Sequence, residues 1–159
     1  MLIGVMSDTH DNLEMVSRAV ALFSERGVAQ ILHAGDIVAP FTLAPILESE
    51  IPFLGVLGNN DGEVVLLVER SKGAIQPAPR RLRIAGKDIL LQHFHHFVKE
   101  IAMGGRFDAV IYGHTHEVDN RMVGKTLLLN PGECCGLLSG NPTVALLDTE
   151  TMEAKIVPL

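Results

Sequence analysis

Leu2-Ile3-Gly4-Val5-Met6-Ser7-Asp8-Thr9-His10-Asp11-Asn12 opens the chain, and an apolar run there ends abruptly in hydroxyl, carboxylate, imidazole and amide groups. The run does not alternate, so it predicts a strand buried on both faces. It is too short for a secretory signal and lacks that signal's basic start and small-residue cleavage site. Residues Asn12 to Arg26 follow with helix-period apolar positions at Leu13, Val16, Val20, Leu22 and Phe23, closed by Gly27. A buried strand feeding an amphipathic helix is the first unit of a parallel α/β sheet.

The same alternation continues outward. Gln30 to His33 reads as a second strand, and Pro40 to Glu48 as a helix with proline in its first turn. Phe53 to Leu57 reads as a third strand and Glu63 to Glu69 as a short helix. The second half changes character: Arg81 to Ile84 and Asp88 to Gln92 flank Ala85-Gly86-Lys87, a hairpin signal. Phe94 to Met103 predicts a helix ended by Gly104-Gly105, before a strand at Ala109 to Tyr112. Two further hairpins follow, Val118 to Val123 with Thr126 to Leu129, then Thr143 to Leu147 with Ala154 to Val157. With no linker, internal repeat or low-complexity segment, residues 1–159 read as one domain, a two-sheet α/β sandwich flanked by helices.

Hydrophobic residues make up 47% of the 159 and charged residues 20%, a globular balance. The formal net charge of −6 argues against long nucleic acids and membrane surfaces, which select basic faces. Arg80, Arg81 and Arg83 form the nearest thing to a basic patch and read as a solvated sheet edge. No apolar run approaches the roughly 20 residues needed to span a bilayer, so the expected location is the cytoplasm. Cys134 and Cys135 are adjacent and project to opposite faces of an extended segment, which disfavours a mutual disulfide. They read as small packing residues.

Chemistry enters where the strands stop. The first ends in Asp8-Thr9-His10, the second in Gly35-Asp36, and the third in Gly58-Asn59-Asn60-Asp61. The strand Asp88 to Gln92 ends in His93, and the strand after Asp108 in Gly113-His114-Thr115-His116. Open α/β sheets bind ligands beyond the carboxyl ends of their strands, so these clusters are expected to face one crevice. Imidazole, carboxylate and amide oxygen form a mixed N/O donor set suited to Mn, Fe, Zn, Co or Ni. Asp-x-His and His-x-His put two donors on the same side of an extended segment. Each fragment alone also has a bland reading: Asp8, Thr9 or Asp11 as a helix cap, Gly35-Asp36 as a turn, Gly58 to Gly62 as a loop. Their conjunction in this order favours a metal centre.

The order Asp-x-His, Gly-Asp, Gly-Asn-x-Asp, His, Gly-His-x-His resembles the calcineurin-like metallophosphoesterase superfamily. Chain length and Asn130-Pro131-Gly132 are similar to its small branch, the YfcE-type phosphodiesterases, and the resemblance spans essentially the whole chain. It implies a four-layer αββα sandwich with two metals at one rim, manganese first among the candidates. On the matching positions it assigns Asp8, His10 and His116 to one metal and Asn59, His93 and His114 to the other, with Asp36 bridging. His95, the second histidine of a His-x-His stretch, is left as a substrate or supporting contact, and His33 and His96 as structural histidines.

The implied reaction is hydrolysis of a small phosphate ester, most readily a diester, by a hydroxide bridging the two metals. Two departures stand out. Asn60 occupies a place where many members carry histidine, and an amide cannot act as a general acid, a role worth ~10²–10⁴ in rate. Glu133 stands where serine commonly follows Asn-Pro-Gly, with no assigned role. The rival reading is a retromer-subunit-like scaffold on the same fold, which a degraded ligand set would favour; here every expected position holds a competent donor. Apolar residues on the hairpins could pack a homodimer, although nothing requires one.

Overall fold

The computed structural model describes residues 1–159. Its first sheet contains β1 (Leu2–Met6), β2 (Gln30–His33), β3 (Phe53–Val56), β4 (Ile75–Gln76), β10 (Thr143–Asp148) and β11 (Glu153–Pro158). Strand order is β11-β10-β1-β2-β3-β4, with β1 to β4 parallel and the last hairpin antiparallel beside β1. The second sheet contains β5 (Arg80–Ile84), β6 (Lys87–Leu91), β7 (Ala109–Ile111), β8 (Val118–Val123) and β9 (Thr126–Pro131), in the order β5-β6-β7-β9-β8. There β6, β7 and β9 run parallel between antiparallel edge strands.

Period-two alternation sorts the apolar side chains into layers. Ile3 and Val5 of β1, Leu32 of β2, Ile89 and Leu91 of β6, and Leu127 and Leu129 of β9 meet between the sheets. Their neighbours face outward: Met6 and Ile31 pack against α1 (Leu13–Glu25), and Leu128 and Val110 against α4 (Val98–Met103). Two shorter helices, α2 (Ala44–Glu48) and α3 (Val64–Arg70), flank the first sheet. The architecture is therefore the expected αββα sandwich of two mixed sheets. Phe23 of α1 is fully buried, worth about 1.5–3 kcal/mol by transfer. Its ring lies so close to Gly4 that a Cβ there would sit 2.8 Å from it. Glycine at that β1 position lets the helix approach the sheet.

Two local expectations change, and the structure adds one strand. The helix foreseen from Phe94 begins only at Val98, because Phe97 takes a left-handed φ of 59° and residues 94–97 form a loop at the sheet rim. Pro40 to Glu48 is a 3-10 turn over Pro40–Leu43 followed by α2, with a second proline at Pro45. Strand β4 is only two residues long, below the reach of any periodicity. No helix is long and apolar enough to cross a membrane.

Candidate metal centre

The parallel strands of both sheets end at the same rim, and their first residues beyond the sheet carry the polar clusters. Asp8 and His10 follow β1, Asp36 follows β2, Asn59 follows β3, His93 follows β6, and His114 and His116 follow β7. Backbone bonds tie these loops to one another: Asp8 N donates to Gly35 O, His10 N to Asp36 O, and Gly113 N to His93 O. Asp8, His10, Asp36, His114 and His116 all have φ between 40° and 69°. Left-handed backbone costs non-glycine residues energy, least for Asp, Asn and His, and it clusters at functional sites. Two glycines allow the close approach: a Cβ on Gly58 would collide with Asp36, and one on Gly113 with Ser7 and Asp8.

Helix capping does not account for the first cluster. The cap of α1 is Asn12, whose Oδ1 accepts from Met15 N and whose Nδ2 donates to Cys135 O. Asp11 Oδ1 accepts from Ala39 N. Asp8 instead accepts from His114 N with both carboxylate oxygens, across the rim.

Asp36 sits at the centre. His10 Nε2 lies 3.6 Å from its Oδ2 on one side, and His93 Nε2 lies 3.4 Å from the same oxygen on the other. His116 Nε2 is 3.5 Å from Asp8 Oδ1, and its ring stacks on His10 with centroids 5.1 Å apart. On the far side, His93 Nε2 lies 2.9 Å from Asn59 Oδ1, and His114 meets His93 edge-on at 5.1 Å. The structure thus brings Asp8, His10, Asp36, Asn59, His93, His114 and His116 together in two groups around one carboxylate. His95 is exposed and stacks on His114 at 5.5 Å, nearly parallel, without a hydrogen bond to any of them. His96 packs outside, against Phe94.

The electrostatics fit a cation. Asp8 and Asp36 are at most 1% exposed, and imidazoles are their only ion-pairing partners. Burial pushes the Asp8 carboxyl above its usual range, against the pull of the His93 and His116 imidazoles. Burial also acts on Asp36, but hydrogen bonds from His93 and Asn60 outweigh it and hold that carboxyl well below the usual range. Burying carboxylates without a lysine or arginine is costly unless a cation or a dense donor set compensates. His10 Nε2 is buried with no hydrogen-bond partner, an arrangement a metal–nitrogen bond would complete. Asp8, His10 and His116 form one donor group within metal-binding reach of one another, and Asp8, Asp36 and His93 a second. Carboxylate and imidazole donors of this kind suit divalent first-row metals.

Supporting residues surround the ligand candidates. Asp61 is buried and accepts backbone N–H bonds from Asp36, Ile37, Val38 and Gly58, joining the loops after β2 and β3. Asn130 donates to Gly113 O and Thr115 Oγ1, fixing the loop that carries His114 and His116. His33 is buried between Thr9 Oγ1 and Gly35 N, and burial lowers its pKa to about 4, consistent with a structural histidine. Asn60 donates its backbone N–H to Asp36 Oδ1 and its amide N–H to Oδ2, so it steadies the central carboxylate. Glu133 is fully buried and bonds His116. Asp61 was visible in the sequence as the end of Gly-Asn-x-Asp, but only the fold reveals its task. Nothing near Glu133 in sequence pointed to His116, which is 17 positions away.

The calcineurin-like phosphoesterase superfamily domain matches residues 1–152. The chain belongs to that superfamily. Membership in the calcineurin-like phosphoesterases makes it a phosphate-ester hydrolase fold of the kind that uses divalent metal ions. It is 39% identical to phosphodiesterase MJ0936 of Methanocaldococcus jannaschii, covering 100% of this chain and 99% of that one. It is 26% identical to phosphodiesterase YfcE of Escherichia coli over 92% of its own length and 86% of the relative's. Among solved structures, a novel archaeal phosphodiesterase superposes with a TM-score of 0.93 at 38% identity, each chain fully covered. Vps29 of Chaetomium thermophilum superposes at 0.71 with 16% identity, covering 100% of this chain and 92% of that one, and shows the shared fold alone.

Proposed function

We propose that this calcineurin-like phosphoesterase is a two-metal phosphodiesterase for a small substrate. Asp8, His10 and His116 would hold one divalent ion, Asn59, His93 and His114 the other, and Asp36 would bridge them. Bound there, a pair of such ions supplies Lewis acidity that lowers the pKa of water toward neutrality and attracts an anionic phosphate. The observation that carries the reading is the position of Asp36 Oδ2 between His10 Nε2 at 3.6 Å and His93 Nε2 at 3.4 Å, with one imidazole from each group.

The chain's own residues prepare the centre. Asn60 holds both Asp36 oxygens by its backbone and side-chain N–H groups, which sets the carboxylate plane. His10 and His116 stack beside Asp8, and their side chains are 19% and 14% exposed, so that half of the centre opens to solvent. His95 is exposed and stacks on His114, and in this reading it is the imidazole that would contact an incoming phosphate ester. Asn60 is an amide, far too weak an acid to protonate a leaving group, which favours diesters or good leaving groups over alkyl monoesters. The relatives named phosphodiesterase support the same substrate class. A scaffold role like that of a retromer subunit finds no support in a ligand set that is complete. The acidic chain, with 19 acidic against 13 basic residues, argues for a small substrate and against a long nucleic acid.

The test is hydrolysis of bis-p-nitrophenyl phosphate by purified protein with Mn²⁺ or Ni²⁺. Asp36→Ala should reduce turnover to background. Undiminished turnover in that variant would contradict the bridging role.

A further inference from the structure

Glu133 follows Gly132 at the end of β9, and none of its carboxylate faces solvent. Its Oε2 lies 2.6 Å from His116 Nδ1. The remaining acceptor capacity is taken up by the loop that follows. Leu138 N donates to both oxygens, Ser139 N and Ser139 Oγ donate to Oε1, and Cys135 Sγ donates to Oε2. A carboxylate ringed by donors accepts only, so the proton shared with His116 resides on Nδ1. In the neutral ring the opposite nitrogen, Nε2, then carries the lone pair. It points toward Asp8, 3.5 Å from Oδ1, on the side where His10 stacks.

We propose that Glu133 is a positioning residue for the metal centre: through its bond to Nδ1 it fixes the His116 tautomer and ring plane so that Nε2 is presented as a metal donor beside Asp8 and His10. The proposal rests on the two-metal reading above. Metal-bound imidazoles commonly donate their other N–H to a carboxylate or carbonyl, and losing that partner costs 10–100-fold in affinity. The competing explanation is that Glu133 serves only as a staple for residues 138–139, since three of its donors come from there.

Two measurements separate these. In metal-free, ¹⁵N-labelled protein at neutral pH, long-range ¹H–¹⁵N spectra should show His116 as the Nδ1–H tautomer; a dominant Nε2–H form would overturn the proposal without any variant. In calorimetric titrations with Mn²⁺, Glu133→Gln should weaken one of two sites by about 10–100-fold and leave the other unchanged. A glutamine must turn either its oxygen or its NH₂ toward His116, so one set of donors always loses its acceptor. Ser139→Ala removes a leg of the staple without touching His116 and should retain both affinities. Equal losses in the two variants, or none in Glu133→Gln while the wild type binds two ions, would overturn the positioning role alone. A wild type that binds no Mn²⁺ would overturn the metal centre itself. If Glu133→Gln fails to fold, the tautomer spectrum and the Ser139→Ala titration still decide the matter.

Discussion

Asp36 shows how much a single side chain depends on its neighbours. It sits in left-handed backbone, is 1% exposed, and faces the His10 and His93 imidazoles, yet the adjacent His93 imidazole and the Asn60 hydrogen bonds hold its carboxyl well below the usual range. Asn60 offers no general acid, but its backbone N–H holds Oδ1 of Asp36 and its side-chain amide holds Oδ2. Asn60→His therefore changes two things at once. It introduces a proton donor at the rim and removes the bond to Oδ2. The first effect depends on the leaving group and the second does not. Relative to bis-p-nitrophenyl phosphate, kcat/KM for an alkyl phosphate ester should rise by about a hundredfold, the low end of the ~10²–10⁴ expected of general acid catalysis. Equal changes for both substrates would mean that the absent acid has no bearing on this enzyme.

At the scale of elements, the centre is a property of where strands stop. The positions of β1, β2, β3, β6 and β7 were legible because each is an apolar run ending in glycine or a polar cluster, and the same break that ends the strand supplies the donors. Legibility failed where tertiary contacts override local preference. Residues 94–97 carry the chain away from His93 at the rim, and Phe97 turns it through a positive φ before α4 starts. The tasks of Asp61 and Glu133 were opaque, since each acts on backbone or imidazole groups contributed by other loops. Asp61 joins the loop after β2 to its own loop after β3 through several charge-assisted bonds. Hydrogen bonds to charged groups contribute about 1.5–3 kcal/mol each, and stranded buried N–H groups add to the loss. Asp61→Ala should therefore lower the stability of the metal-free protein by about 3 kcal/mol or more in urea unfolding. A loss below about 1 kcal/mol would show that the two loops are held by other contacts.

For the molecule as a whole, the sandwich explains why groups from position 8 to position 116 share a pocket. Parallel strands in each sheet point their carboxyl ends the same way, and the inter-sheet core of Ile3, Val5, Leu32, Ile89, Leu91 and Ile111 aligns the two sheets so that both sets end at one rim. Buried carboxylates within a chain of net charge −6 then need a compensating cation more than they would in a basic protein. The family match spans residues 1–152 and so includes every strand that ends in a ligand candidate. The most direct measurement is anomalous diffraction from crystals grown with Mn²⁺. The expected result is two peaks about 3.5–4 Å apart on either side of Asp36, one within bonding distance of Asp8, His10 and His116, the other of Asn59, His93 and His114. A single peak, or peaks bound elsewhere on the molecule, would contradict it.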